Sequence, residues 1–336
     1  MTATLAREPS ALTVPAPTTG VRGAPASWRL VRSPQERVRQ WGATSVSPFT
    51  LGPDREVHGL ASGGLVGFVP RGRWAVMAGD PIAPPGQAQS TLDEALAVVE
   101  RRRLRPMIVA AASPAPYVER GLWTEPIADD ALIDLTTFSL AGGRMANLRH
   151  SVAAGRRTGL RVAPWSDSMT AAAADVSAHW LATKRGGEMG FTLGPFDPAA
   201  MARLDGRVVL DATGRLLALT TWHTYDDGRA RVLDLMRRDP GAPCSTMDLL
   251  IAQSLHEFAK QGVTTASLGS VPRSHGMAAE RLYPTISLRR YKEKFAPRWE
   301  PRYLVTPRRR QVPAAMLALA KAYSPDGLLA GCRRNG

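Results

Sequence analysis

Between residues 289 and 305 the chain reads RRYKEKFAPRWEPRYLV, six cationic side chains set among Tyr291, Phe295, Trp299 and Tyr303. Aromatic rings can anchor such a segment to a core or stack on a base, while the Lys and Arg heads serve phosphate or carboxylate. The wider window 281–310 holds ten Lys or Arg against Glu293 and Glu300, a balance of +8 in a chain whose net charge is +14. A second set of groups stands in VLDLMRRD. There Asp234 and Arg237 form either a structural ion pair or a site, with Asp234 suited to an ammonium and Arg237 to a phosphate or carbonyl oxygen. His275, in SVPRSHG, is a candidate base, although a lone loop histidine more often has no task.

Several chemistries lack their signatures. There is no Walker loop, no GxGxxG, no HExxH and no GxSxG, so nucleotide hydrolysis, dinucleotide chemistry and the common metal and serine hydrolases find no support. Cys244 and Cys332 have no metal-ligand spacing and form no disulfide framework, which fits a reducing, cytoplasmic setting. No apolar run approaches the roughly 20 residues that span a bilayer. The pI near 10.7 points to polyanionic partners, namely nucleic acid, an anionic membrane face or a phosphorylated substrate.

The elements that must position these groups follow from periodicity and turn chemistry. Residues 1–27 are Ala, Pro, Thr and Gly with few large apolar groups, a flexible leader. A helix is expected over 28–40, strands over 63–69 and 74–77, and a helix from the capping box Thr91-Leu92-Asp93-Glu94 to about Arg103. Strands are expected over 106–112 and 131–134, and a basic helix over 145–161. That helix is either a solvated face or a second phosphate-contacting surface. A helix over 170–184 precedes the loop EMGFTLGPF, whose Phe191 and Phe196 read as exposed. Three antiparallel strands over 208–235 lead into a helix capped by Ser245-Thr246-Met247-Asp248, then a short strand at 266–268 and a last helix over 313–323. Strands before a helix suggest an acyl-CoA-dependent acetyltransferase, but the pyrophosphate loop expected at 237–245 reads RRDPGAPCS, with one glycine and two prolines. A CoA donor is disfavoured.

WAVMAGDP at 74–81, NLRHSVAAGRRTGL at 147–160, HWLATKRGGEMGFTLGPFD at 179–197, VLDLMRRDPGAP at 232–243, MDLL at 247–250, SLG at 267–269 and YKEKFAPRWEPRYLV together resemble the catalytic domain of the lysyl- and alanyl-phosphatidylglycerol synthases. The resemblance implies an α/β (α+β) fold of tandem acetyltransferase-like (GNAT-like) domains with mixed, largely antiparallel sheets, placed at 28–163 and 164–325 with a tail at 326–336. It also implies an aminoacyltransferase that takes its aminoacyl group from charged tRNA and uses no cofactor and no metal. Family residues that matter for transfer match Glu188, Asp234, Arg237, Lys292, Lys294 and Arg302. Lys292 or Lys294 is expected near the tetrahedral intermediate, Arg237 and Arg302 on phosphate, Asp234 or Glu188 on the aminoacyl ammonium, and Trp299 or Tyr303 stacked or packed. The family's large N-terminal membrane portion has no counterpart here, and Arg273 and His275 replace a small apolar run on the acceptor side. These departures favour a soluble small-molecule hydroxyl, amine or hydroxylamine acceptor, as in antibiotic biosynthesis with a seryl or other aminoacyl group. The alternatives are transfer to phosphatidylglycerol, an anionic phospholipid, and a non-catalytic RNA or membrane-surface module. Glu188 and Asp234 argue against the last, because polyanion binding gains nothing from carboxylates.

Overall fold

The computed structural model describes residues 33–184, 188–192, 194–273 and 285–323. The expected leader, the tail, His275 and Cys332 lie outside these residues. Helix α1 (Pro34–Trp41) begins at a capping box between Ser33 and Glu36. Strands β1 (Glu56–Gly59), β2 (Leu65–Arg71) and β3 (Trp74–Ala78) form an antiparallel meander. Helix α2 (Ala88–Arg101) then crosses to β4 (Arg105–Ala111), which runs parallel to β3, and α3 (Ala115–Val118) leads to β5 (Trp123–Asp134). The apolar runs of β3 and β4 have their inner positions buried, as expected of strands covered on both faces.

The second half repeats this plan. Helix α4 (Ala146–Arg157), β6 (Arg161–Pro164), α5 (Thr170–Ala182) and α6 (Pro198–Arg203) precede the antiparallel strands β7 (Asp205–Leu210), β8 (Leu216–Tyr225) and β9 (Ala230–Arg238). Helix α7 (Ser245–Lys260) crosses to β10 (Thr265–Pro272), parallel to β9, and α8 (Thr285–Glu293) leads to β11 (Arg298–Thr306) and α9 (Val312–Tyr323). The fold is therefore mixed α/β, with the same strand-helix plan in each half.

The sheets of the two halves are continuous, with strand order β1-β2-β3-β4-β11-β5-β10-β9-β8-β7-β6 among the described residues. Each half ends on a strand that it lends to the other: β11 lies between β4 and β5, and β5 lies between β11 and β10. The central pair β5 and β11 joins nine residue positions, so neither half completes its sheet alone. Residues 163 and 164 both lie within β6, which pairs with β7.

Two expected caps act otherwise. Thr91 lies inside α2, where its hydroxyl meets Ser62 Oγ, and Glu94 receives the Ser62 amide and hydroxyl. At α7 no side chain caps the first turn, and Asp248 turns instead to Ser151 and Lys294. In both cases a long-range partner outcompetes the local backbone amide.

Candidate active site

The site begins where two parallel strands part. β9 and β10 pair over 230–232 and 265–267, and beyond these positions the ladder stops. Asp234 lies two residues past the last pair on β9, and Gly269 two residues past it on β10. A bulge in β8 between Thr220 and Trp222 re-aims Thr221, whose hydroxyl lies 3.2 Å from Asp234 Oδ2 and accepts the Leu235 amide at 3.1 Å.

Residues 188–192 and Gly194 border this opening. The Gly194 amide donates to Asp234 Oδ1 at 2.7 Å, and a Cβ on Gly194 would collide with that carboxylate. Glu188 accepts from Arg237 Nη2 at 2.8 Å and from the Phe196 amide at 2.9 Å. Arg237 lies over the Trp180 ring, 4.0 Å from its centroid, so its planar fork is fixed by both stacking and pairing. Burial pushes the Arg237 guanidinium below the usual arginine range, with the Glu188 hydrogen bond and charge acting against that push. Phe191 is buried, a correction to the expected exposed loop: Arg55 donates to its carbonyl at 2.6 Å and stacks on its ring. Its φ of +67° costs a bulky residue about 1–3 kcal/mol and persists because Arg55 and the contact between Thr192 and Tyr323 hold the loop at both sides.

A second group of residues occupies the β5/β10/β11 crossing. Asp130 has no exposed surface and receives Ser45 Oγ at 2.5 Å, Ser267 Oγ at 2.6 Å and Arg302 Nη2 at 2.9 Å. Ser267 Oγ in turn accepts the Gly269 amide, and Gly269, at φ +81°, presents its carbonyl to Lys292 Nζ at 2.8 Å. Lys292 is buried and its ammonium also faces the Ser270 carbonyl at 3.3 Å. Burial lowers its pKa to about 8, while Asp130 favours the charged form.

The expected residues thus fall into four places. Glu188, Asp234 and Arg237 line the strand opening together. Lys292 and Arg302 sit in the Asp130 network, and Arg302 also pairs with Glu300, so its guanidinium is committed within the fold. Lys294 bonds Asp248 at 3.0 Å, a carboxylate shared with Ser151. Arg273 and Arg289 converge on Asp129, Arg289 lies over the Trp299 ring, and Tyr303 packs against the first-half core. Sequence reasoning passed over Asp130, Ser267, Thr221 and His223. A signal existed for Asp130, an acid inside the strand run that ends in Leu132 and Ile133.

In the turn before α7, where a CoA pyrophosphate would be expected, a carboxylate takes the backbone amide. Asp239, buried, accepts the Gly241 amide at 2.8 Å, the donor such a loop would offer to phosphate, and also pairs with Arg215 and His179. A fixed carboxylate there repels an anion. Calorimetry with CoA is expected to show no specific binding, and micromolar affinity would overturn this account.

Among the described residues no helix is long and apolar enough to cross a membrane, and no His, Cys, Asp and Glu group of three or more could hold a metal. Residues 35–306 match the family described as "Phosphatidylglycerol lysyltransferase, C-terminal". The chain is 26% identical over 295 residues to a phosphatidylglycerol lysyltransferase of Bacillus subtilis, covering 81% of this chain and 34% of the relative. It therefore spans about a third of that relative's length. The C-terminal domain (DUF2156) of an Agrobacterium fabrum protein superposes with a TM-score of 0.74 at 25% identity, covering 86% of this chain and 93% of that one. L-PGS from Bacillus licheniformis superposes at 0.71 and 24%, covering 83% and 91%, a likeness of fold. With the match spanning both halves of the sheet and every strand from β1 to β11, the chain belongs to the phosphatidylglycerol lysyltransferase C-terminal family.

Proposed function

We propose that this chain is the transferring unit of an aminoacyl-tRNA-dependent enzyme that passes lysyl or a related aminoacyl group to a hydroxyl of phosphatidylglycerol at a membrane surface. The observation that carries the reading is the match of residues 35–306 to the lysyltransferase family. The site supports it physically. An ester on tRNA is already activated, so the protein must align it with a nucleophile and stabilise developing negative charge. Arg237, fixed by Trp180 and Glu188, and the Lys292 ammonium are preorganised cations for that task.

The soluble acceptor expected from the sequence loses part of its physical support. It rested on the missing membrane portion and on Arg273 and His275, charges that an acyl chain would have to cover at several kcal/mol if unpaired. Arg273 is instead partly exposed and paired with Asp129 at 2.6 Å, so a lipid can approach without stripping a lone charge. The test supplies radiolabelled lysyl-tRNA with phosphatidylglycerol vesicles or with a soluble cell extract. Label is expected in the lipid phase and is expected to fall about 100-fold in Arg237→Ala. Label confined to a water-soluble product would restore the small-molecule acceptor.

For the tRNA, the outward-facing arginines Arg308, Arg309 and Arg310 take over the phosphate contact that the resemblance implied for Arg302. Removing one phosphate-binding cation should reduce the slope of log affinity against log salt by about 0.7–0.9. Replacing the three arginines with Ala is therefore expected to flatten the slope, whereas Lys292→Met leaves it unchanged. The reverse pattern would place the interface at the buried network.

A further inference from the structure

His223 belongs to none of the sequence motifs, yet β8 carries it to the same strand opening. Its Nε2 lies 3.5 Å from Asp234 Oδ2. Phe49, from the first half, meets the imidazole edge-on with ring centroids 5.2 Å apart. The His223 side chain is 24% exposed and that of Asp234 6%, so the ring stands between a buried carboxylate and solvent. Asp234 cannot readily turn away, because the Gly194 amide and the Thr221 hydroxyl hold it from other sides. The negative charge so close to Nε2 favours a proton on that nitrogen, which leaves Nδ1 as the basic one.

We propose that His223 is the general base of the transfer reaction, with Asp234 as its positioning residue. The proposal rests on the aminoacyl-transfer reading. Other titratable groups of the site already have fixed partners: Lys292 bonds two carbonyls, Glu188 bonds Arg237 and the Phe196 amide, and Lys294 bonds Asp248. In the step, the acceptor hydroxyl oxygen attacks the acyl carbonyl carbon and gives its proton to His223 Nδ1. The tetrahedral intermediate then collapses, the bond from the acyl carbon to the ribose oxygen breaks, and the same proton passes to that oxygen. One ester is exchanged for another, so no oxidant, reductant or further reactant is required. The Asp234 carboxylate stabilises the imidazolium between the two transfers.

The test is made on the full chain with labelled lysyl-tRNA and phosphatidylglycerol vesicles. His223→Ala is expected to lower the transfer rate by about 10²- to 10⁴-fold while tRNA affinity stays within about twofold, and added imidazole is expected to restore part of the rate. Wild-type transfer by His223→Ala, or parallel loss of tRNA affinity and rate with no imidazole rescue, would overturn the proposal. Nitrogen NMR of the ring gives a readout that needs no turnover. An Nε2-protonated tautomer is expected in the native chain and a mixture in Asp234→Asn, and an Nδ1-protonated native ring would sink the assignment. A native chain with the expected tautomer that transfers label from no aminoacyl-tRNA would overturn the transfer reading, and the base with it.

Discussion

Arg302→Ala is expected to destabilise the protein by about 3–5 kcal/mol, the usual consequence of leaving one member of a buried ion pair behind. Asp130, with no exposed surface, would keep Ser45 and Ser267 but lose the guanidinium at 2.9 Å. Both residues stand in the β5/β11 pair, which joins the two halves of the sheet. Urea denaturation followed by circular dichroism measures the change. The double variant Asp130→Asn with Arg302→Met should recover part of the loss, because it removes the charge as well as its partner. A loss under about 1 kcal/mol for Arg302→Ala would show that this pair is not the structural link inferred here.

Lys292 gives the second large effect, and it appears as a pH dependence. Its folded pKa of about 8 lies below the ordinary lysine value of 10.5, so the unfolded chain binds the proton more tightly. Below about pH 8 both states carry the charge and the full burial penalty is present. As pH rises from about 8 to 10.5 the folded lysine becomes neutral while the unfolded one does not, and stability rises relative to a variant lacking the group. A shift of that size corresponds to about 3 kcal/mol. Stability curves of the native chain and of Lys292→Met should therefore diverge across this window, with the native chain gaining on the variant as pH increases. Parallel curves would mean that the ammonium is not desolvated as the fold suggests. In transfer assays below about pH 8, where the native ammonium is charged, the same variant should lose activity, and the difference should narrow as the native lysine becomes neutral at higher pH.

These two residues show what was legible in the chain. Lys292 and Arg302 stood out in YKEKFAPRWEPRYLV, where the resemblance implied Lys292 near the tetrahedral intermediate and Arg302 on phosphate. Spacing could not reveal that α8 would turn Lys292 onto the Gly269 and Ser270 carbonyls, or that β11 would carry Arg302 to Asp130, 172 residues away in sequence. Charge on a segment is a local property, whereas freedom to bind a ligand depends on which partners arrive from elsewhere. The eleven-strand order has the same cause, since exchange of β5 and β11 is a long-range pairing that no local pattern encodes.

The sequence by itself determined the strand-helix rhythm of each half, the turns of the second meander, the unsuitable pyrophosphate loop and the family to which the motifs point. Each depends on side chains close together along the chain, where hydrophobic period, turn residues and short motifs act directly. Tertiary structure decided the rest: the opening between β9 and β10, the burial of Phe191, the pairing of Arg273 with Asp129, and the approach of His223 to Asp234. Asp234 and His223 are close because a bulged strand lies beside its neighbour and the Gly194 amide holds the carboxylate in place. That proximity is set by backbone geometry across the sheet, which a linear pattern of residue types does not contain.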